Sequence, residues 1–140
     1  YGVDKYIEEL GETLGEALIR PTKIYVDTVM KVLKEYEVNG MCHITGGGFY
    51  ENIPRVIPED LGVEIDLGSW DALPIFDLIQ KHGNIDTDEM FKTFNMGIGY
   101  IFIVTENDAD QIVELIEENG EKAFKIGKVV RGDHGVKLCK

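Results

Sequence analysis

Residues 98–104, Ile-Gly-Tyr-Ile-Phe-Ile-Val, form the longest apolar run in the chain. The run has the length of a buried strand and falls far short of the roughly 18 apolar residues a membrane span needs. Just beyond it the hydrophobic period changes. Asp108 opens a segment in which Ala109, Ile112, Val113 and Ile116 recur at helical spacing. Asp108 and Gln111 make a D-x-x-Q capping pattern, and Gly120 follows as a left-handed cap. A buried strand feeding an amphipathic helix requires a sheet with helices packed on it.

The other segments obey the same logic. Apolar positions over 4–19 have helical spacing but are interrupted by Gly11 and Gly15, so a short or broken helix is predicted there. Pro21 punctuates, and Tyr25, Val29, Val32, Leu33 and Tyr36 mark one face of a helix over 22–36, ended by Asn39-Gly40. Met41–Thr45 reads as a buried strand running into three glycines. Pro54 and Pro58 shorten any helix that follows. Val63–Leu67 alternates as a half-buried strand, and Leu73–Lys81 and Thr87–Phe94 read as helices. Phe124–Val130 and Val136–Cys139 are strands that Arg131–Gly135 joins as a hairpin. The predicted class is α+β: a mixed sheet with helices packed on it, ending in an antiparallel hairpin.

Charge narrows the function. A formal net charge of −12 argues against nucleic acid and against an anionic membrane surface, both of which need clustered Lys and Arg. Two cysteines, Cys42 and Cys139, make no disulfide framework, and three scattered histidines make no metal motif. No metal site is expected. The acidic start at Tyr1–Leu10 is unlike a signal peptide, so a cytoplasmic location is the expectation.

Chemistry concentrates in two stretches. In His43-Ile44-Thr45-Gly46-Gly47-Gly48-Phe49-Tyr50-Glu51-Asn52-Ile53-Pro54-Arg55, strand alternation puts Cys42 and Ile44 on one face and His43 and Thr45 on the other. That separation works against a Cys42–His43 nucleophilic pair. Gly46, Gly47 and Gly48 leave the backbone bare, so their N–H groups can converge on an oxyanion. Asn52 and Arg55, three apart, share a side of any helical turn, and the planar fork of Arg suits a phosphate. A flexible turn with a surface arginine is the alternative reading. The second stretch is Thr93–Tyr100. Gly97 and Gly99 permit close approach of a ligand or another backbone, and Asn95 offers a donor and an acceptor. A helix-to-strand turn with Asn95 left-handed is the alternative there. Asp86, Asp88 and Glu89 read as carboxylates at a helix start, and Trp70 as a core or rim aromatic.

Together these stretches carry a resemblance. "HITGGGFYENIPRVIP" (43–58) and "TFNMGIGY" (93–100) resemble the signature segments of aminoimidazole ribonucleotide synthetase, also called phosphoribosylformylglycinamidine cyclo-ligase. "TLGEALIRPTKIYV" (13–26) resembles the entry to the second domain of that family, and "AFKIGKVV" (123–130) its terminal strands. The resemblance implies a PurM-like C-terminal domain over 21–140, with 1–20 as a lead-in, from a longer protein whose N-terminal ATP-binding domain is absent here. It implies ATP-dependent closure of the imidazole ring of formylglycinamidine ribonucleotide in purine biosynthesis. ATP phosphorylates the formamide oxygen, an amidine nitrogen attacks, and phosphate leaves. ATP and Mg²⁺ would be held mainly by the N-terminal domain, with none expected on this chain, which alone would be inactive. The full-length enzyme would be a homodimer. The implied substrate-side residues are Thr45, Gly46, Gly47, Gly48, Asn52, Arg55, Asn95 and Gly97, with His43 as a catalytic or orienting group. The alternatives are the same domain of another superfamily member, such as formylglycinamidine ribonucleotide synthetase, or a stand-alone anion-binding regulatory module.

Overall fold

The computed structural model describes residues 2–140. The expected strand at 97–104 is β5, Tyr100–Ile103, and it pairs antiparallel with β3, Gly40–His43. Cys42 faces Ile101 across the pair and His43 faces Tyr100. Cys42 and Ile44 are buried while Met41 and His43 are exposed, so the alternation is as read. The helix after β5 begins at Glu106, two residues early: α6 spans Glu106–Glu118. Thr105 takes the N-cap position, with its hydroxyl donating to Asp108 at 2.7 Å, so the Thr-x-x-Asp pattern wins over Asp-x-x-Gln. Gly120, at φ 81°, closes the helix.

At the N-terminal end the glycines do more than weaken a helix. Gly11 at φ 70° turns the chain into a two-residue ladder of β1 (Tyr6–Ile7) and β2 (Glu12–Thr13). Only Leu14–Leu18 is helical (α1), capped reciprocally by Thr13 and Glu16. α2 runs from Val26 to Glu35, starting later than the 22 expected, and seats Val32 and Thr28 against α6. Asn119 at the end of α6 donates to Thr28 Oγ1 at 2.9 Å.

The second sheet corrects the sequence reading. β6 (Gly127–Arg131) and β7 (Gly135–Cys139) run in opposite directions but do not pair as a hairpin. β4 (Leu61–Asp66) lies between them, antiparallel to β6 and parallel to β7. The physical reason lies in β4, whose Val63 and Ile65 are buried, so both of its edges must be paired. The link 132–134 therefore wraps around the start of β4. His134 Nδ1 lies 3.2 Å from the carbonyls of both Pro58 and Leu61, and Gly132 N donates to Asp60 O at 3.2 Å. Glu64 then ties the flanking strands, meeting Lys137 at 3.2 Å and Lys128 at 3.5 Å, and these cations hold its carboxyl below the usual range.

α3 (Gly48–Asn52), a 3₁₀ turn (Pro54–Val56), α4 (Pro74–Gly83) and α5 (Thr87–Thr93) complete the layer. The core is an aromatic contact of Phe49, Trp70 and Phe91, with Phe49 and Phe91 edge-to-face at 5.1 Å. Met96 adopts φ 51°, a left-handed conformation that costs a non-glycine residue about 1 kcal/mol. Trp70 Nε1 donates to the Met96 carbonyl at 2.9 Å and holds it there. Trp70→Phe is expected to lower stability by about 1–3 kcal/mol, measured by urea unfolding, because it leaves that buried carbonyl unpaired. No helix among the described residues is long and apolar enough to cross a membrane.

Candidate functional site

β3 ends at His43, and the chain turns through Thr45–Gly48 into α3. The turn is held from inside by one side chain. Asn52 is 6% exposed, and its Nδ2 lies 3.3 Å from Thr45 O, 3.2 Å from Gly46 O and 2.8 Å from Gly48 O. The Thr45 hydroxyl donates back to Asn52 Oδ1 at 3.3 Å. In a trans peptide the C=O and N–H point opposite ways. Drawing the carbonyls of Thr45, Gly46 and Gly48 inward therefore turns the N–H groups of Gly46, Gly47 and Phe49 outward. These amides, with that of Tyr50, have no protein acceptor among the hydrogen bonds of the described residues. Several outward N–H groups on one short segment can together receive an anion.

The three glycines divide the work. Gly46 faces open space, with nothing within 4 Å of where a Cβ would stand. Gly47 is left-handed at φ 93°, and its missing side chain leaves room for the Glu51 carboxylate. Gly48 is a packing residue: a Cβ there would come within 1.9 Å of Phe91 O on α5. Arg55 lies on the 3₁₀ turn, exposed, with Nη2 3.6 Å from Glu51 Oε2. Both partners are about two-thirds exposed, so the pair is weak and exchangeable.

Asn52 thus shapes the turn from inside, with its side-chain amide engaged by three carbonyls. Asn95 Oδ1 accepts from Gly97 N at 3.0 Å, which makes Asn95–Gly97 a tight turn, and the left-handed residue is Met96, not Asn95. Gly97 lines a cleft of about 1190 Å³ together with Tyr25, Gly99 and Tyr100, and Gly46–Gly48 do not line it.

His43 has neighbours that the sequence reading missed. Its ring lies 5.7 Å from that of Tyr25 and 6.0 Å from that of Tyr100, and the two tyrosines are 5.4 Å apart. Tyr25 reaches this position because Gly99 has no side chain: a Cβ would lie 1.8 Å from its hydroxyl. Burial pushes the Tyr25 phenol above its ordinary value. Burial also raises the Cys42 thiol, partly offset by the Arg55 charge. Tyr25 fitted the apolar helix stripe, so only the glycine at 99 could have signalled its role. Glu51 was missed as well, and its i, i+4 spacing to Arg55 was the available signal.

Tyr50 on α3 donates to Asp88 Oδ1 on α5 at 2.9 Å. Burial, helped by Asp88, pushes its phenol up to about 12 from an ordinary 10.0. Its folded-state value is raised, so its contribution to stability is whole below pH 10 and is lost as pH climbs towards 12. Ultraviolet titration is expected to show Tyr50 ionising late in the wild type and earlier in Asp88→Asn.

A family model described as "AIR synthase related protein, C-terminal domain" matches residues 2–140. The phosphoribosylformylglycinamidine cyclo-ligase of Alkaliphilus metalliredigens is 54% identical over 139 residues, covering 99% of this chain and 40% of that protein. The protein of the same name from Bacillus cytotoxicus is 55% identical over 130 residues, covering 93% of this chain and 38% of its own length. Among solved structures, Escherichia coli HypE, a hydrogenase maturation protein, aligns with a TM-score of 0.67 at 18% identity. That alignment covers 93% of this chain and 42% of HypE, and the likeness is one of fold alone. The chain spans about 40% of the length of the curated relatives it matches.

Proposed function

This chain belongs to the AIR synthase related family as its C-terminal domain, and on that premise we propose that it is the substrate-side part of a phosphoribosylformylglycinamidine cyclo-ligase. The observation that carries this is 54% identity over 99% of the chain to a protein of that name. Residues 21–140 form the domain proper and 1–20 its lead-in. The full-length protein closes the imidazole ring of formylglycinamidine ribonucleotide with ATP, in the cytoplasm and as a homodimer.

The outward amides of Gly46, Gly47 and Phe49 receive a phosphoryl oxyanion of the substrate. Arg55 exchanges Glu51 for that oxyanion and adds its planar fork. Thr45 and Asn52 fix the turn, and His43 orients the substrate from beside Tyr25 and Tyr100. Gly97 lines the cleft that also takes in those two tyrosines, and Asn95 closes the turn that presents Gly97. Such a site works by positioning and charge stabilisation, which is what phosphoryl transfer asks of a protein.

Among the described residues no group of three or more His, Cys, Asp or Glu could hold a metal ion. Asp88 is engaged by Tyr50, and Glu89 lies 3.8 Å from Lys92. The groups this chain offers, backbone amides and one guanidinium, suit an oxyanion and not a cation, so ATP and Mg²⁺ are held mainly by the N-terminal domain of the full-length protein.

The test is steady-state ring closure by the full-length protein. Arg55→Ala is expected to raise the ribonucleotide KM or lower kcat by well over threefold. Wild-type kinetics in Arg55→Ala would remove this residue from the site, and absence of ring closure in the parent protein would remove the enzyme class.

A further inference from the structure

Eleven large hydrophobic side chains are exposed among the described residues, and six of them lie between 18 and 33: Leu18, Ile19, Ile24, Val26, Met30 and Leu33. Ile19 and Ile24 are 80% and 82% exposed. Val26, Met30 and Leu33 follow i, i+4, i+7 and form a stripe along α2. Helical geometry puts this stripe opposite Thr28 and Val32, the residues that α2 already buries. α2 is therefore apolar on two sides. A surface helix needs only one such face, so the second is built to be covered.

Charge separates this region from the rest of the molecule. Residues 18–34 hold four basic side chains, Arg20, Lys23, Lys31 and Lys34, against one acidic, Asp27, in a chain of net charge −12. Arg20, Lys23 and Lys31 pair with Glu12, Glu121 and Asp27; the three cations are about half exposed, while Glu12 and Glu121 are half-buried. Cations this open to solvent gain little from such pairs and can turn to other carboxylates. The face is apolar with a basic rim, and it calls for an apolar partner with an acidic rim.

We propose that the outer face of α2, with the segment from Leu18 to Ile24, is the seat of the polypeptide that precedes this domain in the full-length protein. The proposal rests on the reading of the chain as the C-terminal part of a longer cyclo-ligase. This chain accounts for 40% of the length of the relative it matches almost end to end, and the family model is that of a C-terminal domain. The greater part of such a protein therefore precedes the domain, and the uncovered face lies in the first quarter of this chain. Tyr25 sits within the same segment and turns inward onto His43 and Tyr100. Docking on this face fixes the segment that carries Tyr25, and so couples the two halves to the site.

Thiol labelling in the full-length protein tests this. In a Cys139→Ser background, with Cys42 buried, single variants Ile24→Cys, Met30→Cys and a control Glu59→Cys in the exposed loop before β4 are treated with a maleimide. Ile24→Cys and Met30→Cys are expected to react at least tenfold more slowly than Glu59→Cys at every protein concentration. Equal rates would overturn the proposal. So would protection that appears only as concentration rises, because the occupant would then be a second copy. Ring closure is assayed on the same preparations. Protection without ring closure keeps the docking face and sinks the enzyme reading, whereas ring closure with free labelling sinks the docking face alone.

Discussion

Gly48→Ala is expected to destabilise the domain by about 3–4 kcal/mol, measured by urea unfolding. Two costs combine. A methyl at 48 would lie 1.9 Å from Phe91 O, a backbone atom of α5 that cannot rotate away, and over-packing of this kind costs about 1–3 kcal/mol. The residue also sits at φ 56°, where a side chain adds about 1–2 kcal/mol. Gly46→Ala is the control. It meets nothing within 4 Å, so its stability is expected to stay within about 0.5 kcal/mol of wild type. If both substitutions cost the same, the close approach of α3 to α5 is not what requires glycine at 48.

Asn52→Asp is expected to lower kcat/KM of the full-length enzyme by roughly a hundredfold, the scale of losing preorganised donors at an oxyanion site. The substitution keeps the side-chain shape and replaces the donating amide by an oxygen. Three inward carbonyls, those of Thr45, Gly46 and Gly48, then face a carboxylate instead of N–H groups. They swing away, and the N–H groups on their far sides swing with them. Circular dichroism at the assay temperature separates this effect from unfolding. A variant that stays folded and keeps wild-type kcat/KM would show that turn geometry is irrelevant to catalysis. Asn52 contributes from behind, so the loss should appear for every substrate whose phosphate uses the turn.

Local patterns in this chain were legible where period and capping agreed. The β3 alternation, the α6 stripe and the Gly120 stop each follow from side-chain spacing, and α5 begins at the carboxylates read as a helix start. The terminal hairpin was misread because the five-residue link Arg131–Gly135 suggests direct pairing, whereas the pairing of Val63 and Ile65 in β4 is a long-range demand invisible to local spacing. The segment 4–19 was read in part: the short helix is there as α1, but the β1–β2 ladder before it was not foreseen, because glycine at 11 adopts a left-handed turn and an apolar period cannot report the sign of φ. In the site, the glycine turn and Arg55 were identifiable as residue types. The sequence could not tell that Asn52 points inward, that Asn95 closes its own turn, or that Gly48 serves packing while Gly46 lies open. Those differences arise from which backbone atoms lie nearby, and α5 supplies them from some forty residues downstream.

The most direct test is amide resonance mapping of the full-length protein labelled with ¹⁵N-glycine and titrated with formylglycinamidine ribonucleotide. The Gly46 and Gly47 amides are expected to shift and to saturate together with ring-closing activity, while Gly120 stays fixed. Unmoved Gly46 and Gly47 resonances in an enzyme turning over at its normal rate would contradict the account.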